Sequence, residues 1–286
     1  MLIPAPYWVS YPDMVRANDG TPVIVPTDAA SGYKLTSTAL RDAITDRTTW
    51  LVLNAPSNPT GVTYTLAELR GLAEVLVEFP HVRVLTDEIY DEISFGDEPF
   101  IGFAQAAPEL RDRILTVNGV SKSYAMTGWR LGYAVGDPAI ITAINTLQSQ
   151  TSSCPSSISQ AAAVAALTGD QTFVTESVAV YRSRRDLAVR LVSEIDGLTP
   201  IVPDGAFYLF VECSGLLGRT TPEGTVLSND QEVTLFLLEE AGVAVIQGSA
   251  YGVEPFFRLS FATSEGAIES GLQRIAEAVA RLGEKR

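Results

Sequence analysis

In the first half of the chain, short runs of β-branched and apolar residues alternate with segments of helical periodicity, and this pattern limits the fold more than any other feature. The runs cover residues 23–25, 50–53, 82–86, 114–118 and 131–135. Strands separated by helix-length connections return in the same direction, so the pattern predicts an α/β fold with a mainly parallel sheet and crossover helices. The connections carry helix start signals. Thr65 and Glu68 form a capping box ahead of Leu66, Leu69, Leu72, Ala73 and Leu76, which repeat at helical spacing. Asp137 with Pro138 supplies an N-cap and first-turn pair after the last run, and a further helix is expected over residues 156–167.

The second half changes character. A long charged helix is expected over 173–195, then a strand at 207–211, a helix at 232–241, strands near 243–246 and 256–261, and an amphipathic C-terminal helix. That order reads as α+β. The chain therefore divides into a larger unit over residues 1–172 and a smaller C-terminal unit over 173–286. Within the smaller unit the stretch 214–230, rich in Gly, Ser and Thr, reads as a mobile loop.

Composition excludes several classes. With 286 residues, 46% hydrophobic and 19% charged, the chain suits a soluble globular protein. A net charge of −14 without any basic run argues against a nucleic-acid surface, which needs clustered Lys and Arg. No stretch is apolar over enough residues to span a bilayer, and the opening MLIPAPYWVSYP has no basic region ahead of an apolar run. Cys154 and Cys213 lack metal-ligand spacing and His81 stands alone, so no metal site is expected and a cytoplasmic setting is the simplest reading. The opening segment is apolar and proline-punctuated like a buried strand end, so the chain reads as starting partway through a larger fold.

Against this acidic background, residues 114–136 hold two cations, Lys122 and Arg130, and no acid. A cation taken out of water needs a partner. Either both reach solvent, or an anion comes from elsewhere in the fold or from a ligand. Asp87 and Glu88 close the run 82–86; carboxylates at the carboxyl ends of parallel strands lie where open α/β sheets bind ligands, and a helix N-cap is the alternative. Asn58, Pro59, Thr60 and Gly61 follow the run 50–53 and on their own read as a turn. Arg258, in FFRLSFATS, has alternating apolar neighbours; its fork suits a carboxylate, and an arginine facing water from an edge strand is the other reading.

Taken in order, PAPYW, NAPSNPTG, TDEIYDEI, NGVSKSYAMTGWRLGY, DGAFYLF and RLSFATS resemble the class I aminotransferases, fold type I enzymes dependent on pyridoxal 5′-phosphate, and within them the bacterial aspartate aminotransferase group. The resemblance runs through essentially the whole chain. It implies that Lys122 is the Schiff-base lysine and proton shuttle, and that Asp87 lies beside the pyridine nitrogen. It further implies Asn58 and Tyr90 as partners of the phenolic oxygen and Trp8 as the residue stacked on the ring. Arg130 matches the phosphate arginine and Arg258 the arginine that grips the substrate α-carboxylate, with Trp8 and Asn58 also facing substrate. Many relatives carry a hydroxyl three residues before the lysine; here that position is Gly119, and Ser121 is the candidate substitute.

The implied reaction is a ping-pong transfer of an amino group between L-aspartate and 2-oxoglutarate, in a homodimer. A related lyase or decarboxylase is the alternative on the same cofactor, and Arg258 favours retention of the carboxylate. A regulatory, non-catalytic relative would carry a basic DNA-binding module, which this chain lacks. The family also implies a portion ahead of PAPYW, with an arm, early strands and a glycine-containing loop whose helix N-terminus binds phosphate. The large unit is accordingly expected to be incomplete, five strands where the family has seven, with an open sheet edge and a weak or absent activity.

Overall fold

The computed structural model describes residues 1–96 and 98–284. Its first part holds, in chain order, β1 (Leu2–Pro4), α1 (Ser10–Arg16), β2 (Val23–Val25), α2 (Ser37–Ala43), β3 (Trp50–Asn54), α3 (Leu66–Glu78), β4 (Arg83–Asp87), α4 (Phe103–Ala106), β5 (Ile114–Gly119) and β6 (Gly132–Val135). These strands form one sheet in the order β2-β1-β3-β4-β5-β6. All pairings are parallel except the last, where β6 runs antiparallel to β5 with Gly119 opposite Gly132.

Two expectations need correction here. The sheet has six strands among the described residues, because Leu2–Pro4 is itself a strand lying between β2 and β3, with Leu2 and Ile3 fully buried. The alternation also predicted a parallel final strand. The connection from β5 to β6 contains only a short 3-10 turn, Thr127–Trp129, and a parallel return needs a crossover that is usually a helix.

Strand alternation sorts side chains between two faces. Leu51, Leu53 and Val84 pack against Leu40 of α2, Leu69, Leu72 and Leu76 of α3, and Phe103 of α4. The α3 start is a capping box: the Thr65 hydroxyl accepts from Glu68 N–H at 3.2 Å and the Glu68 carboxylate accepts from Thr65 N–H at 2.7 Å. On the opposite face Ile3 and Val52 pack against Tyr11 of α1. α1 covers that face in part, leaving a groove of about 850 Å³ bordered by Met14, Leu85, Leu115 and Val117.

The second part continues with α5 (Pro138–Thr151), α6 (Ser157–Thr168), α7 (Thr172–Ser193), β7 (Thr199–Ile201), β8 (Tyr208–Glu212), α8 (Asp230–Ala241), β9 (Ile246–Gln247), β10 (Phe256–Ser260) and α9 (Glu265–Ala280). Its sheet is antiparallel, in the order β7-β8-β10-β9. Ala188 and Val192 of α7, Leu237 of α8 and Ile275 and Val279 of α9 close its core. The stretch 214–230 departs from the mobile loop expected of its composition. Gly218 N–H donates to Leu227 O at 2.8 Å, Leu227 N–H returns to Arg219 O at 2.9 Å, and Leu216 and Leu227 are buried.

The two sheets meet at a hydrogen-bonded seam. Tyr90, Ile93 and Phe95, just beyond β4, belong to the core of the second sheet. Phe95 N–H donates to Asp204 O at 2.7 Å, Ala206 N–H to Ile93 O at 2.9 Å, and Gly205 N–H to Gly61 O at 2.8 Å. Gly61 closes the NPTG turn at φ +71°, and a Cβ there would overlap Pro203 and come within 2.6 Å of Gly205 O. Gly61→Ala is therefore expected to destabilise the protein by about 3 kcal/mol, from left-handed backbone strain plus steric overlap. Gly224→Ala is the control: φ is +92° but the space around it is open, so about 1 kcal/mol is expected. Urea unfolding followed by circular dichroism compares the two.

Candidate active site

The carboxyl ends of β3, β4 and β5 open on a cleft of about 620 Å³, the position where open α/β sheets take ligands. Trp8, Asn58, Asp87, Tyr90, Ser121, Lys122, Arg130 and Arg258, the residues singled out from the sequence, all line it. Asp87 ends β4 opposite Asn54 of β3 and Val117 of β5. Its Oδ2 accepts from the Tyr11 hydroxyl at 2.6 Å and its Oδ1 from Ile89 N–H at 3.2 Å. Asn54 Nδ2 donates to the Asp87 carbonyl at 3.0 Å, which locks the strand ends together. Burial pushes the Asp87 carboxyl above the usual range, against the Tyr11 and Ile89 hydrogen bonds and the charge of Lys122.

Lys122 lies three residues beyond the end of β5. Its Nζ lies 5.8 Å from the ring centroids of both Tyr90 and Phe207, and among the described residues it makes no ion pair. Desolvation lowers its ammonium pKa first, then the positive charges of Arg258 and Arg130, with Asp87 opposing. Arg130 ends the turn before β6 in the left-handed region, φ +53°, with Nη1 donating to Thr127 O at 2.9 Å. The rest of its exposed guanidinium is free to meet an anion.

Arg258 comes from β10. Its Nη1 donates to Asn58 Oδ1 at 2.8 Å, and its Cζ lies 4.2 Å from the Tyr208 ring centroid and 5.2 Å from that of Tyr251. Its Nε is buried without a partner among the described residues. Asn58 is held by its own N–H, which donates to Asn54 Oδ1 at 2.8 Å. With Oδ1 taken by Arg258, its amide NH₂ is what it has to offer a ligand. Trp8 precedes α1 and meets Tyr11 edge to face at 5.3 Å.

The hydroxyl that the family resemblance implies at position 119 does not fit there without a shift in the neighbouring backbone. A Cβ on it would lie 3.0 Å from Gly132 Cα and 3.0 Å from Leu131 O. Ser121 and Thr127 both bring hydroxyl-bearing side chains to the cleft wall in this region.

Two tyrosines of the cleft, Tyr11 and Tyr208, were not singled out from the sequence. Tyr11 donates to Asp87, and the signal was its position three residues after Trp8, legible only once α1 is recognised as a helix. Tyr208 lies within the quoted stretch DGAFYLF, yet its partners are distant in sequence: its hydroxyl is 2.9 Å from that of Tyr90. Burial, and then Tyr208, push the Tyr90 phenol far above its usual value.

The model of the family "Aminotransferase class I and II" matches residues 1–275. An aspartate aminotransferase of Rhizobium meliloti (strain 1021) is 51% identical over 282 residues, 99% of this chain and 69% of the relative. A probable aspartate/prephenate aminotransferase of Rickettsia felis is 48% identical, over 97% of this chain and 68% of the relative. The crystal structure of the Rhizobium meliloti aspartate aminotransferase superposes with a TM-score of 0.96 at 51% identity, covering 99% of this chain and 70% of that one. The chain thus belongs to the class I and II aminotransferases, enzymes that use pyridoxal 5′-phosphate.

The cleft fits that cofactor on three counts: a buried carboxylate acceptor, a lysine flanked by rings and without an ion pair, and two arginines with uncommitted N–H groups. Of the chain's lysines, Lys34, Lys122 and Lys285, Lys34 is ion-paired to Glu68. A lowered pKa leaves more of Lys122 as free amine at a given pH, so limited acylation at pH 8 should label Lys122 ahead of Lys34, read by peptide mass mapping. Asp87→Asn removes the carboxylate that opposes the shift and should let Lys122 react at still lower pH.

Proposed function

We propose that this chain transfers an amino group between L-aspartate and 2-oxoglutarate, with the two substrates taking turns in one cleft. The observation that carries this reading is the gathering of Lys122, Arg130 and Arg258 around the single carboxylate of Asp87 on the cleft wall. The Rhizobium relative, named an aspartate aminotransferase, supports the choice of substrate.

When bound, pyridoxal 5′-phosphate supplies an aldehyde and an electron-withdrawing ring that stabilises negative charge at the amino acid Cα. Lys122 would hold the aldehyde carbon and, once displaced by the incoming amine, would take the proton from Cα and return it. Its lowered pKa suits both tasks. Asp87 would hold a proton on the ring nitrogen. That cation would in turn draw the Asp87 carboxyl back down, offsetting the burial that raises it. Asn58 and Tyr90 would donate to the phenolic oxygen, and Trp8 would stack on the ring. Arg130 and Ser121 would bind the phosphate, and Arg258 the substrate α-carboxylate, a charge-assisted forked contact.

In the same reading residues 1–172 hold the cofactor and 173–286 form the smaller unit that contributes Arg258. Two copies pair, which is supported by α5 and α6. α5 has no buried residue, and Leu147, Ile158 and Val164 are 65%, 71% and 60% exposed, an apolar surface suited to a partner. No helix among the described residues is long and apolar enough to cross a membrane, and both cysteines are free thiols. These observations support a cytoplasmic setting.

Borohydride reduction of the cofactor-treated protein followed by peptide mapping tests the reading. A pyridoxyl group on Lys122 is expected; its absence from a folded protein would overturn the cofactor assignment. Steady-state assay with aspartate and 2-oxoglutarate should yield oxaloacetate, whereas ammonia or carbon dioxide would indicate a lyase or decarboxylase. Arg258→Ala leaves the α-carboxylate unmatched and should lower kcat/KM at least about a hundredfold, from a loss of about 3 kcal/mol or more.

A further inference from the structure

Tyr208 touches both halves of the chemistry. Its hydroxyl lies 2.9 Å from the Tyr90 hydroxyl, and its ring lies 4.2 Å from the Arg258 guanidinium carbon. The β8–β10 ladder sets this up: Arg258 faces Phe210 and Ser260 faces Tyr208, so Tyr208 sits diagonal to Arg258 on the same face of the sheet. The ring is buried and hemmed in by Tyr90 at 5.8 Å and Phe207 at 4.9 Å.

Two phenols in contact hold two protons and share one between them. Neither hydroxyl has a further hydrogen-bond partner among the described residues. Which one donates therefore decides what Tyr90 offers the cleft. If Tyr90 gives its proton to Tyr208, it can only accept from a ligand. If Tyr208 gives its proton to Tyr90, Tyr90 is free to donate, and successive hydrogen bonds polarise one another. An oxygen bearing negative charge in the cleft selects the second arrangement. The charged groups around Tyr90 are Asp87, which opposes its ionisation, Arg258, which favours it, and Lys122, whose Nζ lies 5.8 Å from its ring centroid.

We infer that Tyr208 is a positioning residue with two separable parts: its hydroxyl donates to Tyr90 so that Tyr90 donates into the cleft, and its ring carries the Arg258 guanidinium. The hydroxyl part serves the phenolic oxygen of the cofactor, so it rests on the cofactor reading above. The ring part serves the carboxylate grip. A single side chain from the smaller unit thus orients a donor at the end of β4 and a cation on β10.

The test uses the full chain loaded with pyridoxal 5′-phosphate. Two quantities are measured: the pH midpoint of its visible absorbance, and the Kd for maleate, an unreactive dicarboxylate. Tyr208→Phe keeps the ring and should move the midpoint in the same direction as Tyr90→Phe, by less, with maleate binding unchanged within about twofold. Tyr208→Leu removes the ring and should also weaken maleate about tenfold, the size of one desolvated cation–π contact. The Tyr90→Phe/Tyr208→Phe double variant should match Tyr90→Phe alone, since the relay runs through Tyr90. A midpoint unmoved by Tyr208→Phe, or shifts that add in the double variant, overturns the hydroxyl's part. Maleate binding indifferent to Tyr208→Leu overturns the ring's part, with Tyr208→Met substituting if the Leu variant does not fold. A native chain that develops no visible absorbance with the cofactor overturns the cofactor reading itself and the relay with it.

Discussion

Three cations share one cleft in a chain whose net charge is −14, and this local excess is the constraint the surrounding structure answers to. Lys122, Arg130 and Arg258 face a single lining carboxylate, Asp87, and none of the three forms an ion pair among the described residues. Like charges gathered in a partly desolvated space raise the free energy unless anions accompany them. The fold handles each differently. Arg258 is spread over the faces of Tyr208 and Tyr251 and tied to Asn58. Lys122 sits among rings where its ammonium is weakened. Arg130 stays exposed at the rim. A ligand carrying a phosphate and a carboxylate matches this set better than water does.

The cleft exists because two sheets are joined through short backbone contacts. Tyr90 links the two sheets: it starts from the end of β4 but packs in the core of the second sheet. The same seam that fixes Gly61 against Gly205 carries Asn58 to Arg258, three residues up the same turn. Stability and site geometry are therefore not separable here. A change that loosens the 203–206 segment from the NPTG turn also moves Arg258 relative to the β4 end.

Much of this was legible from residue patterns, in proportion to how local the cause is. The α3 capping box and its leucine spacing are satisfied within a few residues, and that helix lies where the spacing put it. Lys122 and Arg130 stood out because their surroundings hold no acid. β1 and α1 were harder. β1 has three residues, too few for an alternation to register, and α1 has seven with Pro12 inside its first turns. Without α1, Tyr11 has no visible relation to Asp87. The 214–230 stretch misleads because composition reports backbone freedom but not the paired hydrogen bonds and two buried leucines that remove it. Tyr208 depends on a strand register and a partner more than a hundred positions away, which no local pattern encodes.

The direction of β6 shows how a site reading and a strand reading check each other. Periodicity identifies a strand but not which way it runs. Had β6 been parallel to β5, the residue just before it would lie at the amino end of the sheet, across its full width from the residue just after β5. Lys122 follows β5 and Arg130 precedes β6 by two positions. Only the antiparallel pairing brings both to the carboxyl end, close enough for Arg130 to lower the Lys122 pKa. That tight return explains the glycines as well. Gly119 and Gly132 face each other with no room for a Cβ at 119 unless the backbone shifts, and the chain between them turns back through a left-handed Arg130. Gly119 thus lies at the close strand approach that sets the two cations side by side, and Ser121, two residues along the chain, lines the cleft.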